Sequence, residues 1–378
     1  MTAQGIRIPK RVLVFQSDLI GGGAERSVLN LVNGLDRTRF TPSLVLNKAA
    51  GPYLSSVRDD VPIVQIGARR MRGALWGLVR QIQRQTPDLL FSTMQGPAVM
   101  LWLARALARS HAPLVLRESN NWTARGVSPR TLSQRVTGMA YRRADRVVCL
   151  SDGVNEDTRS RYGNVATITI NNPVDVTGIK LNATERSGAV PTWSPRGQRD
   201  EIELLAVGRL TRQKGFDLLI DAASAIRDLP WHLTILGEGP DLERLLNRAR
   251  DHGLEDRIAF PGFVLNPYPW FAEADLFVLS SRWEGFGHVI VEAMASGVPV
   301  LSTACPSGPD EIISDGIDGV LCAPDSTEAL ASSLRELIGD PELRRRLVVG
   351  AARTPQRYDV PTIVGRYEAL FDQLTSTD

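Results

Sequence analysis

Residues 282–300 read RWEGFGHVIVEAMASGVPV and set two carboxylates, Glu284 and Glu292, eight residues apart around a glycine turn. The pattern predicts a strand ending near Ser281, a turn, a helix over 288–296, and a new strand entered through Gly297 and Pro299. Glu284 then lies in the loop and Glu292 in the helix. The backbone N–H groups of Gly287, His288 and Val289, at the start of that helix, can meet phosphate oxygens. A carboxylate at the phosphate-binding end of an α/β sheet can accept two hydrogen bonds from a ribose diol.

Two further stretches offer matching chemistry. Residues 208–216, GRLTRQKGF, follow an apolar run and bring Arg209 and Lys214 into a loop that enters a helix. A guanidinium fork beside a lysine point charge suits a diphosphate, although solvated surface cations would read the same way. Residues 21–26, GGGAER, follow the first apolar run and open a helix whose apolar face is Val28, Leu31, Val32 and Leu35. Glycines let the backbone approach a ligand closely, and a helix start favours an anion; a plain flexible turn is the alternative.

These stretches need strands to hold them, and the chain supplies β-branched runs alternating with helical patterns. In the first half the runs are 11–17, 42–47, 61–66, 88–92, 113–117, 146–150 and 165–170. In the second they are 202–207, 231–236, 257–260, 275–279, 299–302 and 319–322. This is the signature of βαβ units on parallel sheets. The fold class is α/β, with two doubly wound, Rossmann-like domains facing across a cleft in which ligands would gather at strand carboxyl ends. We expect domains over 1–175 and 176–358, a C-terminal helix over 359–378 packing back towards the first, and an aperiodic linker over 182–200.

Composition narrows the partners. The chain has 378 residues, 23% of them charged, 32 Gly and 23 Pro, the make-up of a folded globular protein. No apolar run approaches the ~20 residues that span a bilayer, and the N-terminal apolar run is too brief for a signal peptide, so a cytoplasmic protein is expected. Cys149, Cys305 and Cys322 have no paired spacing and read as buried small side chains, and the four histidines lie far apart, so no metal site is expected. The net charge of +2 divides into +12 over residues 1–175 and −10 over the rest. A basic half calls for a polyanionic partner, but no nucleic-acid motif appears. Residues 69–84 place Leu75, Leu78, Val79 and Ile82 on one helical face among Arg69, Arg70, Arg72, Arg80 and Arg84. That pattern fits a helix lying in an anionic membrane interface or an ordinary core helix with solvated arginines.

The order GGGAER, GRLTRQKGFDLLI, LGEGP, FPGFV, EGFGHVIVEAMASGVPV and SGPDEII resembles the retaining glycosyltransferases of the GT-B fold, family four. The likeness is strong over residues 202–322 and weaker in the first half. It implies that Glu292 binds the donor ribose, Glu284 contacts the donor sugar, and Arg209 and Lys214 hold the diphosphate. It further implies that Phe286, Gly287, His288 and Val289 form the donor turn, that Gly262 faces the nucleobase, and that Gly22 and Gly23 close over phosphates and sugar. Related enzymes carry a histidine after the strand at 113–117. Here that place reads Arg117-Glu118-Ser119-Asn120, and His111 lies at the wrong end of the strand, so Glu118 and Asn120 become the candidates for orienting an acceptor.

The resemblance implies metal-independent, cofactor-free transfer of a hexose or N-acetylhexosamine from a nucleotide diphosphate sugar, most readily a UDP-sugar. The acceptor would be a glycan or a polyprenyl-diphosphate-linked sugar in bacterial surface polysaccharide or lipid-linked oligosaccharide assembly, reached at the cytoplasmic face of a membrane. The alternatives are another GT-B enzyme, such as a nucleotide-sugar epimerase, or a non-catalytic nucleotide-sugar binding protein. The sequence leaves the oligomeric state open.

Overall fold

The computed structural model describes residues 8–20, 22–183 and 201–376. Gly21 and most of the expected linker, 184–200, lie outside the described residues. Contacts divide the chain into one unit of residues 1–173 with 360–378 and a second of residues 174–359.

The first unit is built on seven strands: β1 (Lys10–Gln16), β2 (Phe40–Leu46), β3 (Ile63–Gln65), β4 (Leu89–Thr93), β5 (Leu114–Glu118), β6 (Arg146–Cys149) and β7 (Thr167–Thr169). They form one parallel sheet in the order β3-β2-β1-β4-β5-β6-β7. Val14 of β1 faces Leu44 on one side and Phe91 on the other. Near-continuous apolar runs suit strands covered on both faces. The helices are α1 (Gly23–Gly34), α2 (Leu75–Gln85), α3 (Gln95–Leu107), α4 (Leu132–Tyr141) and α5 (Asp152–Tyr162). Helices α2 to α5 cover one face, where Leu78, Ile82, Leu101 and Tyr141 pack on Leu13, Leu90 and Leu116.

The second unit begins with α6 (Val176–Asn182) and holds six strands: β8 (Ile202–Val207), β9 (Trp231–Leu236), β10 (Ile258–Gly262), β11 (Leu276–Leu279), β12 (Val300–Thr303) and β13 (Val320–Cys322). Their parallel order is β10-β9-β8-β11-β12-β13, with Leu204 of β8 opposite both Leu233 and Leu276. Around them lie α7 (Phe216–Ser224), α8 (Leu242–Asp251), α9 (Tyr268–Glu273), α10 (His288–Ala295), α11 (Pro309–Ile312), α12 (Thr327–Gly339) and α13 (Pro341–Ala351). The last helix, α14 (Val360–Thr375), joins α1 on the other face of the first sheet. There Tyr367 and Phe371 meet Phe91 edge-on at 5.8 and 6.1 Å. Arg39 fastens this helix by ion pairs to Glu368 at 2.6 Å and Asp372 at 2.5 Å.

Of the two readings open for residues 69–84, the core helix is the one found for the apolar stripe. The apolar stripe of residues 75–82 is not a membrane-facing surface: Leu78, Val79 and Ile82 are buried against α3 and the sheet, and Leu75 packs on the same core. The apolar face of the sheet needs a cover against water, and the stripe supplies it.

Candidate functional site

In each sheet the strand order reverses at one place: between β8 and β11 in the second unit, between β1 and β4 in the first. Crossovers leave in opposite directions there, so the loops after the two strands part and open a crevice at the carboxyl edge. The sequence motifs lie at these edges.

In the second unit the loop after β8 and the loop after β11 are tied together. Lys214 Nζ donates to Glu284 Oε1 at 2.6 Å, and Ser281 Oγ donates to the same oxygen at 2.6 Å. Ser280 Oγ donates to the Lys214 carbonyl at 2.9 Å, and the Arg282 N–H to the Gln213 carbonyl at 2.8 Å. Gly215 permits this approach: its φ is +62°, and a Cβ there would stand 2.0 Å from the Ser280 carbonyl oxygen. The Lys214 stem lies over Gly208, and Arg209, the next residue after Gly208, is exposed. Both Glu284 and Lys214 are largely buried, so the pair is held in a partly dried place where its charges interact strongly.

Arg282 secures the two loops from behind. Its guanidinium donates to the Arg212 carbonyl, to both oxygens of Asp217 and to Asp325, at 2.8 to 3.0 Å. Hydrogen bonding to Asp217 raises it above its ordinary value, so the cation persists at all working pH. Neither Arg282 nor the serines Ser280 and Ser281 stood out in the sequence, where arginine and serine at a strand end are unremarkable.

Gly287 caps α10 with φ +90°, a conformation that favours glycine, and His288 and Val289 occupy the first helical turn, as the spacing predicts. Glu292 is 3% exposed on that helix. Tyr268 Oη donates to its Oε1 at 3.3 Å, and His288 Nε2 lies 3.8 Å from the same oxygen. Tyr268, on α9, is a site residue the sequence did not reveal, because nothing in its surroundings marks which face of a six-residue helix meets α10. Gly262 closes β10, where its carbonyl accepts from Gly237 at 2.8 Å. Phe286 departs from its expected role: its ring is 2% exposed and packs edge-on against Tyr358 at 5.1 Å, so it anchors the turn rather than facing a ligand.

Burial pushes the Cys305 thiol, near Glu284, up to about 12, with the carboxylate adding to the effect. Cys149 is pushed up to about 12 and Cys322 to about 11, burial again leading. None offers a thiolate nucleophile at neutral pH.

In the first unit, Gly22 caps α1 and accepts from Arg26 at 3.0 Å, while a side chain on Gly23 would enter open space. Across the reversal point, Met94 holds φ +65°, rarely adopted by a residue with a side chain, immediately before α3. Arg117 and Glu118 are successive residues of β5 and turn to opposite faces, both buried. Arg117 donates to Thr93 at 3.0 Å and to Asn172. Glu118 is 0% exposed. Its Oε1 accepts from the N–H groups of Ser119 and Asn120 at 2.8 and 2.9 Å. Its Oε2 accepts from Trp122 Nε1 at 2.8 Å, Tyr141 Oη at 2.9 Å and Gln95 Nε2 at 3.3 Å. With no surface and every lone pair engaged, Glu118 does not meet an acceptor; it fixes the loop that follows. Asp157 completes this clamp by accepting from the Trp122 N–H at 2.9 Å and from the Thr123 hydroxyl. Asn120 alone of the two candidates reaches the surface.

Among the described residues no group of three or more His, Cys, Asp or Glu could hold a metal ion, and no helix is long and apolar enough to cross a membrane.

A strand-order reversal flanked by a Lys–Glu pair, with Glu292 on the helix behind it, is a crevice of the kind in which α/β sheets take ligands. Comparison with known proteins gives it a class. Residues 193–354 match the family model for glycosyl transferases group 1, and residues 21–177 that for glycosyltransferase family 4. The chain belongs to the family-4 type of GT-B glycosyltransferases. It is 27% identical over 330 residues to the lipopolysaccharide core biosynthesis glycosyltransferase LpsE of Rhizobium meliloti, covering 86% of this chain and 88% of that one. The Campylobacter jejuni N-acetylgalactosamine-N,N'-diacetylbacillosaminyl-diphospho-undecaprenol 4-alpha-N-acetylgalactosaminyltransferase is 34% identical over 143 residues, 38% of this chain and 39% of that one. The Anabaena protein HepE, solved with UDP-glucose, superposes with a TM-score of 0.81 at 22% identity, covering 96% of this chain and all of that one. It shares the GT-B fold of two Rossmann-like domains.

Proposed function

We propose that this glycosyltransferase moves a hexose or N-acetylhexosamine from a nucleotide diphosphate sugar, a UDP-sugar in preference, to a glycan or a polyprenyl-diphosphate-linked sugar, with retention at the anomeric carbon and without a metal ion. The observation that carries the reading is the Lys214–Glu284 pair at the reversal point of the second sheet. UDP-glucose in the HepE complex and the undecaprenol-linked acceptor named for the Campylobacter relative favour the choice of donor and acceptor.

In this mechanism the bond from the anomeric carbon to the diphosphate oxygen breaks as the acceptor oxygen forms its bond on the same face. The acceptor proton passes to the departing oxygen, and free nucleoside diphosphate leaves. Negative charge grows on the diphosphate, and Lys214, Arg209 and the start of α10 stabilise it from fixed positions. Glu284, shared in the resting state with Lys214 and Ser281, turns its second oxygen to a sugar hydroxyl. Glu292, steadied by Tyr268, accepts from the ribose diol. Asn120 borders the acceptor side.

A melting panel of UDP-, GDP-, ADP- and dTDP-sugars tests the proposal. A donor at about 100 times its dissociation constant adds about 2.7 kcal/mol of stability, and the UDP-sugars are expected to give the largest shift. Turnover should release free nucleoside diphosphate steadily when acceptor is present and should survive EDTA. A panel without any shift overturns donor binding. Shifts without turnover favour a binding protein, and loss of activity restored by magnesium rules out the metal-free form.

A further inference from the structure

The charge of the first unit is concentrated. Residues 69–143 hold 13 arginines and two acids, while the rest of the chain sums to −9. Of the acids, Asp88 pairs with Arg11 at 3.3 Å and Glu118 is buried; of the arginines, Arg117 is buried and Arg105 pairs with Asp145 at 3.4 Å, so the remaining eleven carry the surface charge. Helices α2, α3 and α4 contain no acidic residue, and they stand side by side on one face of the sheet.

Their outward sides carry a second feature. Trp76 and Arg80 are exposed one turn apart on α2, with Arg69, Arg70 and Arg72 exposed just before it. On α4, Leu132, Arg135 and Met139 recur at helical spacing with Arg142 capping the end, and all are exposed; Trp76 is 66% and Leu132 77% open. Between the two helices, α3 exposes Leu107, and Arg143 of the neighbouring strand approach lies 5.7 Å over the Trp102 ring. Guanidinium groups bind anionic headgroups, while isolated tryptophan and aliphatic side chains beside them gain by entering the acyl boundary. An acidic polysaccharide gives those apolar side chains no reward, and a nucleic acid can stack on Trp76 but gives none to Leu107, Leu132 and Met139, so the mixed surface fits a bilayer better than either.

We infer that the outer surface of α2, α3 and α4 docks the first unit on an anionic lipid bilayer, through its arginines and the exposed Trp76 and Leu132. The surface differs from the apolar stripe of α2, which is spent on the core. Arg69, Arg70, Arg72, Trp76 and Leu132 lie at the starts of α2 and α4, on the carboxyl edge of the sheet that also carries Asn120, so a bilayer held by them would meet the side on which a lipid-linked acceptor is read. The inference deepens that reading of the acceptor, but its test needs neither donor nor turnover, so the two can fail separately.

The test is co-sedimentation of the full chain with phosphatidylcholine vesicles, with and without roughly 30% phosphatidylglycerol. Binding should require the anionic lipid and fall steeply between about 50 and about 500 mM salt. Replacing Arg69, Arg70 and Arg72 together by Ser should lower partitioning by roughly a hundredfold. Trp76→Ser with Leu132→Ser should remove the part that resists salt. Replacing Lys48, Arg58 and Arg366 by Ser, outside these helices, should change partitioning by less than about threefold. Melting curves confirm that each variant is folded. Equal recovery with neutral and anionic vesicles, an equal loss in the control variant, or retention on heparin with none on vesicles would each overturn the inference.

Discussion

Lys214→Ala is expected to lower kcat by a factor on the order of 10²–10³ while donor affinity falls far less, because the diphosphate gathers charge as the glycosidic bond breaks. Lys214 is preorganised for that moment: its stem is packed over Gly208, its carbonyl is held by Ser280, and its ammonium already sits 2.6 Å from Glu284. The substitution also leaves Glu284 without its cation in a largely buried place, so part of the loss will appear as lowered stability. Combining it with Glu284→Gln separates the effects. The two residues act as a unit, so the double variant should lose less activity than the product of the single losses. A rise in KM with kcat unchanged in Lys214→Ala would remove the lysine from transition-state stabilisation.

The largest stability effect is expected at Glu118. Its carboxylate serves two backbone N–H groups, an indole, a phenol and a side-chain amide within the core of the first unit. Burial, and then the Glu118 charge, hold the Tyr141 hydroxyl well above its ordinary range, so it remains a donor. Glu118→Ala strands these donors and opens a void, which should cost roughly 3 kcal/mol or more. For a unit of this size that corresponds to a fall of roughly 6–12 °C in its melting transition. Glu118→Gln keeps the volume but turns one acceptor into a donor facing other donors, and should fall between. Unchanged melting in Glu118→Ala would mean that water serves these groups equally well, and would return Glu118 to the acceptor side.

Glu118 also marks where sequence reading ran out. The thirteen expected strands are present, seven in the first sheet and six in the second, because β-branched runs at regular spacing reflect burial on both faces. The glycine turns and charged groups after β8 and β11 fell where expected, since backbone geometry at a strand-to-helix turn is written in adjacent residues. Whether a carboxylate at a strand end meets a ligand or the core depends on remote partners. Gln95, Trp122 and Tyr141 come from a helix start, a loop and another helix, and no local pattern links them to Glu118. Phe286 misled for a similar reason: it sits between glycines that shape a ligand turn, yet its ring turns to Tyr358, 72 positions further on. Helix α2 shows the limit of amphipathic pattern. Its stripe indicates a buried face without saying whether protein or lipid buries it, and here the sheet does.

On the proposed function, the carboxyl edge of the second sheet binds a nucleoside diphosphate through Glu292. Isothermal titration of UDP into the wild-type chain and into Glu292→Gln decides it. Tyr268 occupies one carboxylate oxygen of Glu292, and the amide variant would present a donor where the ribose diol requires an acceptor. The wild type should bind UDP, and the variant should bind it about 5- to 150-fold more weakly, equivalent to about 1–3 kcal/mol, with melting unchanged in the absence of ligand. Equal affinity in two folded proteins, or no heat from the wild type, would contradict the assignment.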